Sequence, residues 1–159
     1  MDYPQRKQLR LPQYDYSTPG AYFLTVCTKD KRCTLGSVGR ADHNAPQVDK
    51  TPLGELAERY IRTMESACDG VTVEKYVVMP NHIHLLLVIR AGAPGSARPT
   101  QTVPRIMAAF KRLTNREAGE QLWQASYYDH VVRGEEDFLR IWKYIDTNPA
   151  RWAEDTYYL

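Results

Sequence analysis

Tyr76-Val77-Val78-Met79-Pro80-Asn81-His82-Ile83-His84-Leu85-Leu86-Leu87-Val88 is an apolar, β-rich run broken by one Pro-Asn pair and carrying two histidines. Side chains on a strand alternate between faces, so His82 and His84 point one way and Ile83 the other. Their backbones lie roughly 6.5–7 Å apart on an extended chain, close enough for both imidazoles to reach one metal ion. Pro80-Asn81 forces a tight bend, which predicts two strands, over residues 71–79 and 82–90.

Other elements follow on either side. Thr18-Pro19-Gly20 is a turn signal that introduces a strand over residues 21–28. Residues 36–51, with Gly39, Asn44 and Pro46, read as a loop. Leu53, Leu56, Ala57, Tyr60, Ile61 and Met64 repeat at helical spacing, and Asp69-Gly70 stops that helix. Residues 91–102 are rich in Gly, Pro, Ser and Ala and predict a loop. Val103, Ile106, Met107, Phe110 and Leu113 mark a second helix, and residues 126–133 a fourth strand. A last helix begins near Glu135, with Phe138, Ile141, Trp142 and Ile145 on one face and Pro149 near its end. The order strand, helix, strand, strand, helix, strand plus a terminal helix predicts an α+β fold. It is a ferredoxin-like (RRM-like) split βαβ with a central antiparallel sheet and a C-terminal helix bearing Tyr144. In that arrangement the first and third strands are central, which puts the histidine pair mid-sheet.

A chain of 159 residues suits one domain spanning 1–159, with a basic arm over 1–18 and a tyrosine-bearing helix over 136–148. Its 43% hydrophobic and 25% charged residues are ordinary for a globular protein, and a net charge of +2 excludes no class of partner. Charge distribution says more. Arg6, Lys7 and Arg10 cluster at the start, and Arg105, Lys111, Arg112 and Arg116 share the second helix. With eleven tyrosines and three tryptophans they suit nucleic acid, although a solvated helix face is the commoner use of such charges. Three cysteines without paired metal spacing, no signal segment and no apolar run of about 18–20 residues predict a reducing cytoplasm and no membrane.

Two constellations carry chemistry. A lone buried histidine is usually satisfied by a backbone carbonyl, but two on one face of an apolar strand must both be satisfied, which favours a shared metal ion. Tyr144 and Asn148 are four apart on the last helix and share a margin beside its apolar face, from which phenol and amide could reach the sheet. Taken alone, they read as a boundary tyrosine and an asparagine at a helix end.

The run Val78-Met79-Pro80-Asn81-His82-Ile83-His84-Leu85, with Tyr144-Ile145 and Asn148-Pro149 some sixty residues later, resembles the single-tyrosine HUH transposases. That family comprises insertion-sequence transposases and REP-associated tyrosine transposases. Arg10-Leu11-Pro12-Gln13-Tyr14-Asp15-Tyr16, Pro19-Gly20-Ala21-Tyr22-Phe23, and Tyr128-Asp129-His130 followed by Arg133 and Glu136-Asp137-Phe138 are similar to it as well. The resemblance implies that His82, His84 and Asn148 hold one Mg²⁺ or Mn²⁺ and that Tyr144 attacks a DNA phosphate. The product would be a 5′-phosphotyrosine link, with no nucleotide cofactor needed. It implies a single-stranded, hairpin-flanked DNA substrate, contacted by the basic residues named above, and action as a monomer or a homodimer. A phenol is mostly protonated at neutral pH, so a proton acceptor is needed, for which His130 is a candidate. Two readings compete: a non-catalytic, single-strand-binding module of ferredoxin-like fold, and a hydrolase in which water attacks.

Overall fold

In a computed structural model, residues 20–39, 46–90 and 102–157 are described. The elements are β1 (Gly20–Cys27), β2 (Gly36–Gly39), β3 (Gln47–Lys50), α1 (Pro52–Ala67), β4 (Val71–Val78), β5 (His82–Ile89), α2 (Val103–Ala118), β6 (Tyr128–Val132) and α3 (Gly134–Thr147). Short 3₁₀ turns cover Lys29–Lys31 and Pro149–Glu154. The main sheet is antiparallel in the order β4-β5-β1-β6, so the first and third of its strands are central, as the ferredoxin-like pattern requires.

Both faces of the sheet are covered, which is why β5 reads as an almost unbroken apolar run. Tyr22, Leu24 and Val26 of β1 join Ile83, Leu85, Leu87 and Ile89 of β5 under Ala57 and Ile61 of α1 and Ile106, Met107 and Phe110 of α2. On the other face Phe23 and Leu86 pack against Ile141 and Ile145 of α3. Burying each large side chain contributes about 1.5–3 kcal/mol, so the two layers fix the register of the central strands. Thr25 lies opposite His84, and Cys27 opposite His82. A bulge in β4 between Val73 and Lys75 changes which face the later residues take. Lys75 then reaches Asp146 of α3 at 2.7 Å and lies over the Trp142 ring.

The helices start where their caps place them. The Thr51 hydroxyl accepts from the Gly54 amide, and the Thr102 hydroxyl from the Arg105 amide, each with a proline in the first turn. Gly119, at φ 72°, ends α2 in the left-handed conformation. At Gly54 an added Cβ would stand 2.0 Å from the Leu35 carbonyl oxygen. Alanine gains about 1 kcal/mol in helix propensity there, but the overlap is with backbone and cannot be relieved by a rotamer. We expect Gly54→Ala to destabilise the fold by about 1–3 kcal/mol in urea titration; equal or higher stability would contradict the close packing of α1 on this loop.

Several expectations are corrected in detail. The stretch 36–51, read as a loop, contains the β2–β3 hairpin, paired from Gly36 with Lys50 to Gly39 with Gln47. The predicted strands 71–79, 82–90 and 126–133 are each trimmed at their ends. The tyrosine-bearing helix runs over Gly134–Thr147 rather than 136–148, and Asn148 is its C-cap. The basic arm 1–18 and nearly all of the loop 91–102 lie outside the described residues. Among the described residues, no helix is long and apolar enough to cross a membrane.

Candidate metal centre beside a tyrosine

His82 and His84 are fully buried on the α3 face of β5, with ring centroids 4.5 Å apart. Their neighbours decide where the ring protons sit. The Asn81 amide nitrogen donates to the carbonyls of Lys31 and Tyr157, at 3.3 and 2.7 Å, which orients that side chain. Its Oδ1 therefore faces His82 Nδ1 at 2.8 Å, and an acceptor there requires Nδ1 to be the donor. Nε2 of His82 is then the lone-pair nitrogen. His84 Nδ1 lies 2.8 Å from the Thr25 hydroxyl, and its buried Nε2 has no hydrogen-bond partner. Fixing one ring nitrogen so that the other points at a centre is how metal-binding histidines are held.

Burial, and then the neighbouring His82, push the His84 pKa well below its ordinary value of 6.5. The folded protein holds this ring neutral, whereas the unfolded chain takes up a proton below about pH 6.5. Stability from this group is therefore complete above that pH and lost as pH falls through it. In EDTA, the midpoint of thermal unfolding should fall between pH 7 and pH 5, less steeply in His84→Gln; identical slopes would contradict this placement of the charge.

The third group is Asp155, which the sequence reading did not single out. The 3₁₀ turn after α3 bends back over the sheet, and the Asp155 side chain is fully shielded, with Oδ2 3.8 Å from His82 Nε2. The Asn148 amide nitrogen donates to Asp155 Oδ2 at 2.7 Å, and the Tyr157 backbone amide donates to Oδ1 at 2.9 Å. One ligand atom each from His82, His84 and Asp155 lies within 4.8 Å of the others. Two imidazole nitrogens and a carboxylate oxygen fit a divalent ion such as Mg²⁺ or Mn²⁺. The unpartnered His84 Nε2 and the buried Asn148 Oδ1, also unpartnered, are the atoms such an ion would satisfy. Asn148 lies beside this cluster, with its amide nitrogen engaged in holding Asp155.

Tyr144 is half-buried on the ridge of α3 that overhangs this centre. Its ring centroid is 5.2 Å from that of His84 and 6.0 Å from that of Phe23, which it meets edge-on. Phe23 also stacks on His84, so one aromatic residue seats both nucleophile candidate and ligand. The helix is pinned at its start by Asp137, which accepts from the Arg133 amide at 3.0 Å, lies 2.8 Å from His130 Nε2 and pairs with Arg140. Burial alone would raise this carboxyl, but the hydrogen bonds from Arg140, the Arg133 amide and His130 outweigh it and hold the pKa at about 2.

The other expected site residues do not gather here. His130 contacts α3 at Asp137, seven residues before Tyr144, or about 10 Å along the helix. Arg105, Lys111, Arg112 and Arg116 lie on α2, which packs on the sheet face opposite the histidines. Lys111 moreover donates to the carbonyls of Gln124 and Ser126, at 2.7 and 2.9 Å, and so ties down the loop before β6. Arg6, Lys7 and Arg10 lie outside the described residues.

Comparison with known proteins gives the family and supports the fold. Residues 47–148 match the family model described as "Transposase IS200 like". An uncharacterized protein of Haemophilus influenzae is 29% identical over 173 residues, covering 97% of this chain and 93% of that one. A second protein of that organism, named provisionally as a REP-associated tyrosine transposase, is 20% identical over 86% of this chain and 74% of its own. A solved REP-associated tyrosine transposase, bound to a REP hairpin, superposes with a TM-score of 0.67 at 18% identity, over 90% of this chain and 74% of that one. With the family model covering well over half of its length, the chain belongs to the IS200-like transposases, the single-tyrosine family that includes the REP-associated enzymes.

Proposed function

We propose that the protein cleaves and rejoins single-stranded, hairpin-flanked DNA through a covalent link to Tyr144. The observation that carries this reading is the placement of the Tyr144 ring 5.2 Å from His84, over a buried cluster of two histidines and one carboxylate. His82, His84 and Asp155 would hold a divalent ion, with Asn148 orienting the carboxylate. When bound, that ion supplies positive charge against the oxygens of the phosphate under attack.

Tyr144 performs the substitution. Its phenolic oxygen forms a bond to phosphorus, the bond to the 3′ oxygen breaks, and that oxygen leaves as a 3′-hydroxyl after taking a proton. The strand remains linked through a 5′-phosphotyrosine. Attack by a 3′-hydroxyl on that ester reverses the step and rejoins DNA, so the exchange needs no nucleotide cofactor. Phe23 and the buried face of α3 hold the phenol in position, which lowers the barrier by pre-orienting the reacting groups. Because Tyr144 lies beside the histidines of its own chain, a monomer suffices for cleavage in cis. The relative solved with a REP hairpin supports hairpin DNA as the substrate.

The test is incubation with labelled, hairpin-flanked single-stranded DNA and Mn²⁺, followed by denaturing electrophoresis. An SDS-resistant protein–DNA adduct supports covalent strand transfer. Cleavage without an adduct would instead mean attack by water, and binding alone a non-catalytic module.

A further inference from the structure

The solvent-facing ridge of α3 carries charge that the proposed chemistry does not use. A groove of about 340 Å³ runs along it, lined by Arg140, Lys143, Tyr144, Asn148, Arg151 and Asp155, among others. Arg140, Tyr144 and Asn148 follow one another at a helical spacing of four with Lys143 beside them, and the 3₁₀ turn brings Arg151 and Asp155 to the same groove. Cations stand on both sides of the tyrosine, Arg140 and Lys143 before it and Arg151 after it. The remaining acidic residue of the lining, Glu154, lies at the far end, and Asp155 faces the histidines instead. The acidic first turn of α3, Glu135 to Asp137, adjoins the start of the groove, where Asp137 pairs with Arg140 as well as with His130.

Resting on the strand-transfer reading, we propose that this groove is the track of the single strand that flanks the scissile phosphate. Lys143 and Arg151 contact phosphates on either side of the one that meets Tyr144, and Arg140 extends the track. A single strand fits better than a duplex because the groove leads to a half-buried phenol, which an unstacked backbone can approach. Arg140 and Arg151 are suited to bidentate phosphate contact, and Lys143 to a point contact. None of these three was among the basic residues that the sequence singled out, and all three lie on the reacting face of the sheet, unlike those of α2.

The experiment compares wild type with the double variant Lys143→Gln/Arg151→Gln, whose side chains make no hydrogen bond within the described structure that holds the fold. Binding to a hairpin with single-stranded flanks is measured across 50–300 mM salt, in parallel with a blunt hairpin and with adduct formation. Each phosphate contact to a single strand contributes about 0.7 to the slope of log K against log salt. The double variant should therefore lose roughly 1.4 in slope and roughly 10- to 30-fold in affinity at 0.1 M salt for the flanked substrate. It should keep its affinity for the blunt hairpin. An unchanged slope, or equal losses on both substrates, in a variant whose thermal unfolding matches wild type, would overturn the groove as a strand track. Wild-type adduct formation is read in the same experiment: its absence would count against the strand-transfer reading itself, independently of the slope.

Discussion

Tyr144→Phe is expected to abolish the covalent adduct and to lower strand cleavage by at least about a thousandfold, the scale on which loss of a nucleophile acts. The substitution removes only the hydroxyl. The phenyl ring keeps its edge-on contact with Phe23 and its place beside His84, so the fold and the entrance to the centre are preserved. Thermal stability should stay within about 1 kcal/mol of wild type, since one hydrogen-bonding hydroxyl contributes no more than that. DNA binding should also persist, because the cations of the α3 groove are untouched. That combination separates a nucleophile from a tyrosine that merely packs. If Tyr144 were structural, the phenylalanine variant would cleave normally.

Removal of the cation site should have the second large effect. With a divalent ion at about 100 times its dissociation constant, linkage stabilises the native state by about 2.7 kcal/mol. For a chain of this size that raises the midpoint of thermal unfolding by about 5–10 °C. Asp155→Asn and His84→Gln should each weaken Mn²⁺ binding by at least roughly 10- to 100-fold, a range that loss of outer partners alone reaches. The shift in midpoint should disappear at moderate ion concentration, and cleavage with it, while hairpin binding stays close to wild type. Asp155→Asn keeps an oxygen for the Tyr157 backbone amide, but it removes the charge and the acceptor that the Asn148 amide nitrogen uses. If Asp155→Asn bound Mn²⁺ as tightly as wild type, the carboxylate would be a buried hydrogen-bonding group and not a ligand.

Much of this architecture is legible in the chain, for reasons that particular residues display. The two-residue period around His82 and His84 fixes their common face, and the apolar flanks place them on a central strand covered from both sides. The capping threonines and prolines mark α1 and α2, and the 3.6-residue period of Phe138, Ile141, Trp142 and Ile145 turns Tyr144 and Asn148 toward the sheet margin. The β2–β3 hairpin escaped because Gly36-Ser37-Val38-Gly39 is four residues long with glycine at both ends, and carries no strand signal of its own. Asp155 escaped for a different reason: its position depends on the 3₁₀ turn folding back over β5, a tertiary event with no local period. The sidedness of α2 follows from handedness. In a split βαβ sheet both crossover helices pack on one face, and β5 assigns that face to Ile83, Leu85 and Leu87. The charges of α2 must then lie away from the histidines, however suitable they look in the linear sequence. His130, offered as a candidate proton acceptor, contacts α3 at Asp137, about two turns before Tyr144.

The central claim is that phosphorus becomes bonded to the oxygen of Tyr144, and it can be read directly. Wild-type protein is reacted with a hairpin-flanked single strand in Mn²⁺, the DNA is trimmed with nuclease, and the tryptic peptides are weighed by mass spectrometry. The account predicts that the peptide containing Tyr144 carries the mass of a 5′-linked nucleotide, and that fragmentation assigns it to that residue. Cleaved DNA accompanied by unmodified Tyr144, or by a nucleotide on another side chain, would contradict it.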